Sequence, residues 1–277
     1  MKRRIVSDSS SNILERNSDV EYCTTPLKIL IDGKEYPDVP GLDMVDLVAR
    51  IELSEKNSTS CPSISEWTDA FEGADEIFGV TISSNLSGSY NSAMNAAEMY
   101  LEDHPDVKIH IFDSLATGGT MELLIEKIEE CIRAEMSFED IIKAVDEYHE
   151  KDKILFSLES VKNLAKNGRM LKALADLANA LGIRFIGKAS ERGTIQQAHI
   201  ARGQKKALIT VYNEMLKMGY QGGKVRINHC LNVDAAGKLK DMILQQFPSA
   251  DVKVCLTTAL CSYYAERGGM IIGFEVV

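Results

Sequence analysis

The chain has 277 residues, enough for one large or two ordinary domains, and its 45% hydrophobic and 26% charged content is that of a globular protein with ample core. A net charge of -10 and a pI near 5.1 argue against nucleic acid or an anionic membrane surface as the main partner, because both recognise a basic footprint. No apolar run approaches the roughly 18 residues of a spanning helix, Met1-Lys-Arg-Arg leads into a strand instead of an apolar leader, and cysteines and histidines are dispersed, so a cytoplasmic protein with reduced thiols and neither metal nor cofactor is expected.

In chain order, Arg4 to Val6 predict a short strand running into Ser7-Asp8-Ser9-Ser10-Ser11-Asn12, a strand end rich in hydroxyls. Residues 26–36 alternate around Asp32-Gly33, a two-residue hairpin signal expected to extend a domain edge. Met44, Leu47, Val48 and Ile51 have the spacing of a helix with one buried face. Pro62 pushes Cys61 toward extended backbone, and Ser63 with Glu66 forms a capping box for a helix that buries Trp67, Ala70 and Phe71. Thr59 and Ser60 stand just ahead of it, their hydroxyls free to face a cleft.

Ile77 to Ile82 read as a buried strand, and Ala93, Ala96, Ala97 and Tyr100 recur at helical spacing. Between them SSNLSGSYNS places five serines around Gly88 at a helix start. Free backbone N–H groups, hydroxyl donors and a glycine that permits close approach suit an anion there; a Ser-rich helix cap is the plainer alternative. Val107 to Phe112 give another strand, followed by Asp113-Ser114 and Gly118-Gly119 and then a helix with Met121, Leu124, Ile125, Ile128, Cys131 and Ile132 on one face. Three strand ends bearing hydroxyls or glycines on one edge of a doubly wound sheet predict a ligand cleft.

Ser137 caps a further helix, and the charged run Glu147 to Lys153 reads as a linker. The expected fold is α/β with two domains: residues 1–150 as a three-layer α/β/α domain with a mainly parallel sheet, and residues 151–277 as an α+β domain with a mixed or antiparallel sheet. In the second, strands are expected near 154–156, 183–186, 194–201, 224–230, 252–256 and 270–277. Helices are expected at 158–166, over Leu171, Leu174, Leu177, Ala178 and Leu181, and near 204–218 and 233–247.

Gly182-Ile-Arg-Phe-Ile-Gly187-Lys188-Ala189 nearly spells a phosphate-binding loop, but Ala189 stands where a magnesium-binding hydroxyl is needed and the intervening residues read as a strand. Ser87 lacks the first glycine of a nucleophile elbow and no histidine occupies a suitable loop. Asp8 and Asp113 close strands and leave open a small hydrolase or phosphotransferase using the same cleft; the competing role is acceptance of backbone N–H bonds. Lys162, Lys166 and Arg169 form one basic side, and Arg202, Lys205 and Lys206 a second.

Taken together, Ile5-Val6-Ser7-Asp8-Ser9-Ser10, Thr59-Ser60-Cys61-Pro62-Ser63, Ile82 to Ala93, Asp113-Ser114 with Gly118-Gly119, and Leu164-Ala165-Lys166-Asn167-Gly168-Arg169-Met170 resemble, in order and across most of the chain, the DegV proteins, bacterial fatty-acid-binding proteins. The resemblance implies a non-enzymatic carrier that holds one long-chain fatty acid such as palmitate or oleate between its domains. The carboxylate would sit on Thr59, Ser60 and Ser87, with Gly88 beside them, and the acyl tail would run into an apolar tunnel. It also implies presentation to an ATP-dependent acyl kinase, with Arg169 contacting head group or partner. The chain departs from the family near its end: Tyr263-Tyr264-Ala265-Glu266-Arg267-Gly268-Gly269 stands where a histidine and Gly-Pro-Gly are common. Tyr264 is expected to donate a hydrogen bond in place of that histidine, and Arg267 to offset the charge of Glu266.

Overall fold

The computed structural model of the chain describes residues 1–170 and 182–276. β1 (Arg3–Asp8) pairs in parallel with β2 (Glu21–Thr25). β3 (Lys28–Ile31) and β4 (Lys34–Pro37) form the expected hairpin, with Asp32 and Gly33 at φ of 50° and 83°, the two positive values of a type I′ turn. The hairpin does not extend the parallel sheet. After α1 (Met44–Leu53), β5 (Asn57–Ser60) pairs antiparallel with β3, so the three strands form a separate sheet in the order β4-β3-β5. The apolar side of β3, Ile29 and Ile31, is buried with Leu47 and Ile51 of α1, which draws the hairpin onto that helix and away from the sheet edge.

α2 (Ile64–Phe71) opens on Ser63 and Glu66, whose reciprocal capping bonds are both present. β6 (Glu76–Thr81), α3 (Ser89–Asp103), β7 (Lys108–Asp113) and α4 (Gly119–Arg133) then complete the strand-loop-helix units. The resulting sheet, β2-β1-β6-β7, is parallel throughout. Trp67, Phe71, Ala93 and Tyr100 of α2 and α3 cover one face, and α4 with α5 (Phe138–His149) covers the other, Phe78 meeting Phe138 at 4.9 Å between rings. This is the expected three-layer arrangement.

The charged run 147–153 is no linker. α5 reaches His149, β8 (Asp152–Leu158) begins immediately after the turn, and His149 Nδ1 lies 2.8 Å from the buried carboxylate of Asp152. Beyond it come α6 (Lys162–Lys166), β9 (Ile183–Ala189), β10 (Ile195–Arg202), α7 (Gln204–Lys217), β11 (Val225–His229), α8 (Val233–Gln246), β12 (Val252–Leu256), α9 (Ala259–Ala265) and β13 (Met270–Glu275). The helix expected over Leu171 to Leu181 lies outside the described residues. The six-stranded sheet has the order β10-β9-β8-β13-β11-β12 and is mixed, since β11 and β12 run parallel while the other pairs are antiparallel. α7 and α8 cover one face with Leu208, Val211, Leu239 and Ile243.

Two further findings depart from expectation. α9 was not foreseen; it belongs to the later half of the chain but buries Ala259, Leu260 and Tyr263 in the core beneath the parallel sheet. α4 is buried on several sides, because its second face lies on the six-stranded sheet. The approach is backbone to backbone: a Cβ on Gly119 would overlap the Arg226 carbonyl and come within 2.9 Å of the Gly273 nitrogen, and one on Gly273 would overlap the start of α4. Farther along α4, Glu126 takes a bidentate pair from Arg226 at 3.0 and 2.6 Å and a bond from Lys253 at 2.6 Å.

Burial opposes ionisation of Glu126, but the bonds from Arg226 and Lys253 outweigh it and hold its carboxyl at about 2, below the ordinary 4.5. A carboxylate depressed on folding contributes stability that is complete above the unfolded value and lost as pH falls through the folded one. Glu126→Ala is therefore expected to cost about 3 kcal/mol at neutral pH, by leaving a buried guanidinium without its main partner. In urea titrations the gap from the parent should narrow as pH is lowered from about 4.5 toward about 2; a gap of constant size across that window overturns the assignment.

Candidate functional site

β1, β6 and β7 are adjacent and parallel, so their carboxyl ends share one edge, and strand order reverses between β1 and β6. Asp8, fully buried, spans that point: Oδ1 accepts Ser10 N at 3.1 Å, and Oδ2 accepts Ile82 N at 2.9 Å and the Ser89 hydroxyl at 2.6 Å. Burial raises its pKa while these bonds work against the rise. Asp113 Oδ1 accepts Ser84 N at 3.1 Å and Leu115 N at 3.0 Å. Both carboxylates therefore hold the loops in shape through backbone donors. Among the described residues no group of three or more His, Cys, Asp and Glu side chains is arranged to hold a metal.

Of the three hydroxyl-bearing strand ends, two face a cavity and the first does not. Residues Ser9–Ser11 form a buried 3-10 turn whose hydroxyls bond inward, Ser9 Oγ accepting Leu27 N at 3.0 Å and Ser7 Oγ meeting Ser11 Oγ at 3.0 Å. α9 closes over this turn, with Thr258 Oγ1 donating to Ser9 O at 3.2 Å, so the loop supports the site without lining it.

The cavity, of about 290 Å³, lies between the loops after β6 and β7 and the face of β8, β9, β10 and β13. That is near the lower end of the roughly 300–1,000 Å³ usual for small-molecule sites. Thr59, Ser60, Ser87, Gly88, Arg169 and Tyr264, all expected at the site, line it. Contacts among them and their neighbours gather them into one polar patch. Tyr264 OH and Thr59 Oγ1 are 2.8 Å apart, Arg169 Nε donates to Leu86 O at 2.9 Å, and a Cβ on Gly88 would lie 3.2 Å from Cys61 Sγ. A side chain at residue 88 would press on Cys61, just after β5, which brings the serine loop and that strand end close together. Gly88 occupies the N-cap of α3 and offers it no side chain, while Ser87 Oγ accepts Ser89 N at 3.2 Å, so one serine of the loop is engaged at the helix start. Burial raises the Tyr264 pKa, with the Thr59 bond opposing, and the hydroxyl remains protonated as a donor. Among the described residues Arg169 forms no ion pair, whereas Lys166 is tied to Asn57 Oδ1 at 3.0 Å and Lys162 is exposed.

Away from the patch the lining is mostly apolar, with Thr117 and Thr194 its other hydroxyls. Ile154, Phe156 and Leu158 alternate along β8 and face the cavity together, joined by Ile271, Leu164 and Ile195. Arg267 does not offset Glu266 at the site: it pairs with Glu52 of α1 at 2.8 Å, and Glu266 accepts Asn163 N at 3.1 Å. Both are held by local partners outside the lining, which removes the expected charge conflict. Two residues of the serine loop have a supporting role that the sequence did not indicate. Ser83 Oγ donates to Gly193 O at 2.9 Å, and Asn85 Nδ2 to Arg192 O at 2.8 Å, pinning the serine loop to the β9–β10 turn. Gly193 has φ of 71°, and a Cβ there would overlap Ser83 Oγ, so this turn position requires glycine.

The profile of the family described as "Uncharacterised protein, DegV family" matches residues 2–276. A DegV domain-containing protein of Streptococcus pneumoniae is 40% identical over 280 residues, covering 100% of both chains. Among solved structures, the Streptococcus pneumoniae fatty acid kinase (Fak) B3 protein loaded with linoleic acid has a TM-score of 0.98 at 40% identity, over 100% of both chains. A DegV family protein from Eubacterium eligens loaded with heptadecanoic acid has a TM-score of 0.96 at 41% identity, over 99% of this chain and 100% of the other. With a profile match along nearly its whole length, and relatives alike in sequence and fold from end to end, the chain belongs to the DegV family.

Proposed function

We propose that this protein is a cytoplasmic carrier that holds one long-chain fatty acid, such as palmitate or oleate, in the cavity and presents its carboxylate to an ATP-dependent acyl kinase. The observation that carries this reading is an Arg169 guanidinium without an ionic partner among the described residues, set among hydroxyl donors at the border of an apolar cavity. A carboxylate needs that donor set, and a hydrocarbon tail needs the β8 wall beyond it. The fatty acids named in the structures of two relatives support the same ligand class.

In this proposal residues 1–150 supply the hydroxyl loops and residues 151–277 the tail wall, Arg169 and Tyr264. The tail dominates affinity, since each buried methylene contributes about 0.8 kcal/mol and a chain of about 16 carbons roughly 10 kcal/mol before ordering costs. The polar patch sets orientation. The alternative of a hydrolase or phosphotransferase loses its acid-base pair, because Asp8 and Asp113 are occupied by backbone N–H groups. The carrier therefore has no chemistry of its own and needs no cofactor in this reading.

The protein is expected to co-purify with fatty acid, seen by mass spectrometry of an organic extract, and to bind palmitate or oleate after delipidation. A chain that is empty and takes up neither acid overturns the proposal. Thr59→Ala combined with Ser87→Ala should weaken palmitate while leaving the thermal midpoint nearly unchanged. Arg169→Gln should weaken palmitate about tenfold or more, the scale of a hydrogen bond to a charged group, and hexadecanol far less. Equal losses for acid and alcohol would mean that the carboxylate lies elsewhere.

A further inference from the structure

On β9, the residue paired with Phe156 of β8 is Gly187. The space its side chain would take is already filled: a Cβ there would overlap Cε2 of Phe156, come within 2.5 Å of its Cζ, and lie 2.7 Å from Cε1 of Phe185. The two rings are stacked, with centroids 6.1 Å apart and planes inclined by 17°. Phe185, 1% exposed, packs behind, while Phe156, 8% exposed, borders the cavity. The Phe156 ring therefore lies down over the bare backbone of β9. Leu158, Leu164, Met170 and Phe185 belong to the same packed cluster, so the open direction for the ring is the cavity itself. A packed interior does not absorb an added methyl group, and the ring would be lifted into the empty side.

We propose that Gly187 and Phe156 form a specificity-determining pair that sets the depth of the cavity. The glycine lets the ring lie flat, and the height of the ring fixes how long a hydrocarbon chain the site admits. This inference rests on the reading of the cavity as an acyl site. It also gives a use to the near-miss phosphate motif of the sequence: its second glycine makes room for an aromatic ring in a strand.

The test is a series of straight-chain acids from decanoate to octadecanoate, bound to the delipidated full-length chain. In the parent, affinity rises with each added carbon until the cavity is full. In Gly187→Ala the rise stops at a shorter chain, and octadecanoate weakens roughly 10- to 200-fold, the range that one methylene group commands in an apolar pocket, while decanoate is weakened less. Gly187→Ala combined with Phe156→Leu recovers the longer acids. A plateau at the parental length in Gly187→Ala, or no recovery in the double variant, overturns the inference. If circular dichroism shows that Gly187→Ala does not fold, Phe156→Leu alone decides: a plateau moved to longer chains supports the pair, and an unmoved one overturns it. A parent that binds no acid of the series overturns the acyl reading and this inference with it, whereas a binding parent with unmoved plateaus overturns only the latter.

Discussion

The contact on which the structure depends is the backbone crossing of α4 over β13, where Gly119 and Gly273 face each other without side chains. One helix thereby serves two sheets, closing the parallel sheet on one side and the six-stranded sheet on the other. The loop that precedes α4, Leu115 to Thr117, is carried with it and becomes part of the cavity wall, opposite Ile154 and Ile271. A larger residue at either glycine would separate the sheets at the place where their spacing defines the cavity. The Glu126–Arg226 pair fixes the same helix farther along, so spacing and tilt are both set.

The polar patch depends on residues far apart in the chain, and each is positioned by a different device. Thr59 and Ser60 ride on β5, held in register by β3. Ser87 and Gly88 end a loop anchored by Asp8 through Ile82 and Ser89, and by Asp113 through Ser84. Tyr264 sits on α9, whose first turn is held by the buried Asp38 carboxylate, accepting Ala259 N at 2.8 Å and Leu260 N at 3.0 Å. The acidic side chains near the site are thus spent on backbone amides of the scaffold. The groups they leave facing the cavity are neutral donors and one guanidinium, a field that favours an anion.

That division explains what could be read in advance. The parallel units, the Asp32-Gly33 turn and the Ser63 capping box were legible because each is a local pattern with a local cause. Six residues that line the cavity could be singled out in advance because the family resemblance carried information that spacing alone does not. α9 was missed: it is seven residues long and nearly all buried, so no polar stripe marks it, and its capping carboxylate comes from the far end of the sequence. The double burial of α4 was hidden by Glu122, Glu126 and Glu129, which look like a solvent face in the sequence. In the fold they meet Arg226 and Arg16, partners distant in the chain. Buried ion pairs imitate exposed ones when only the helix is in view.

Selectivity and anchoring are separable in this architecture. A clamp of hydroxyls and a guanidinium recognises a carboxylate whatever hydrocarbon is attached to it, so within the proposed function it cannot distinguish one fatty acid from another. Discrimination has to come from the apolar wall, where β8 alternates Ile154, Phe156 and Leu158 toward the cavity and β9 sets Gly187 opposite Phe156, between Phe185 beside Leu158 and Ala189 in the lining. Within that proposal, a change of side-chain volume at Gly187 acts on the tail without touching the head group, so anchoring and selectivity can vary independently.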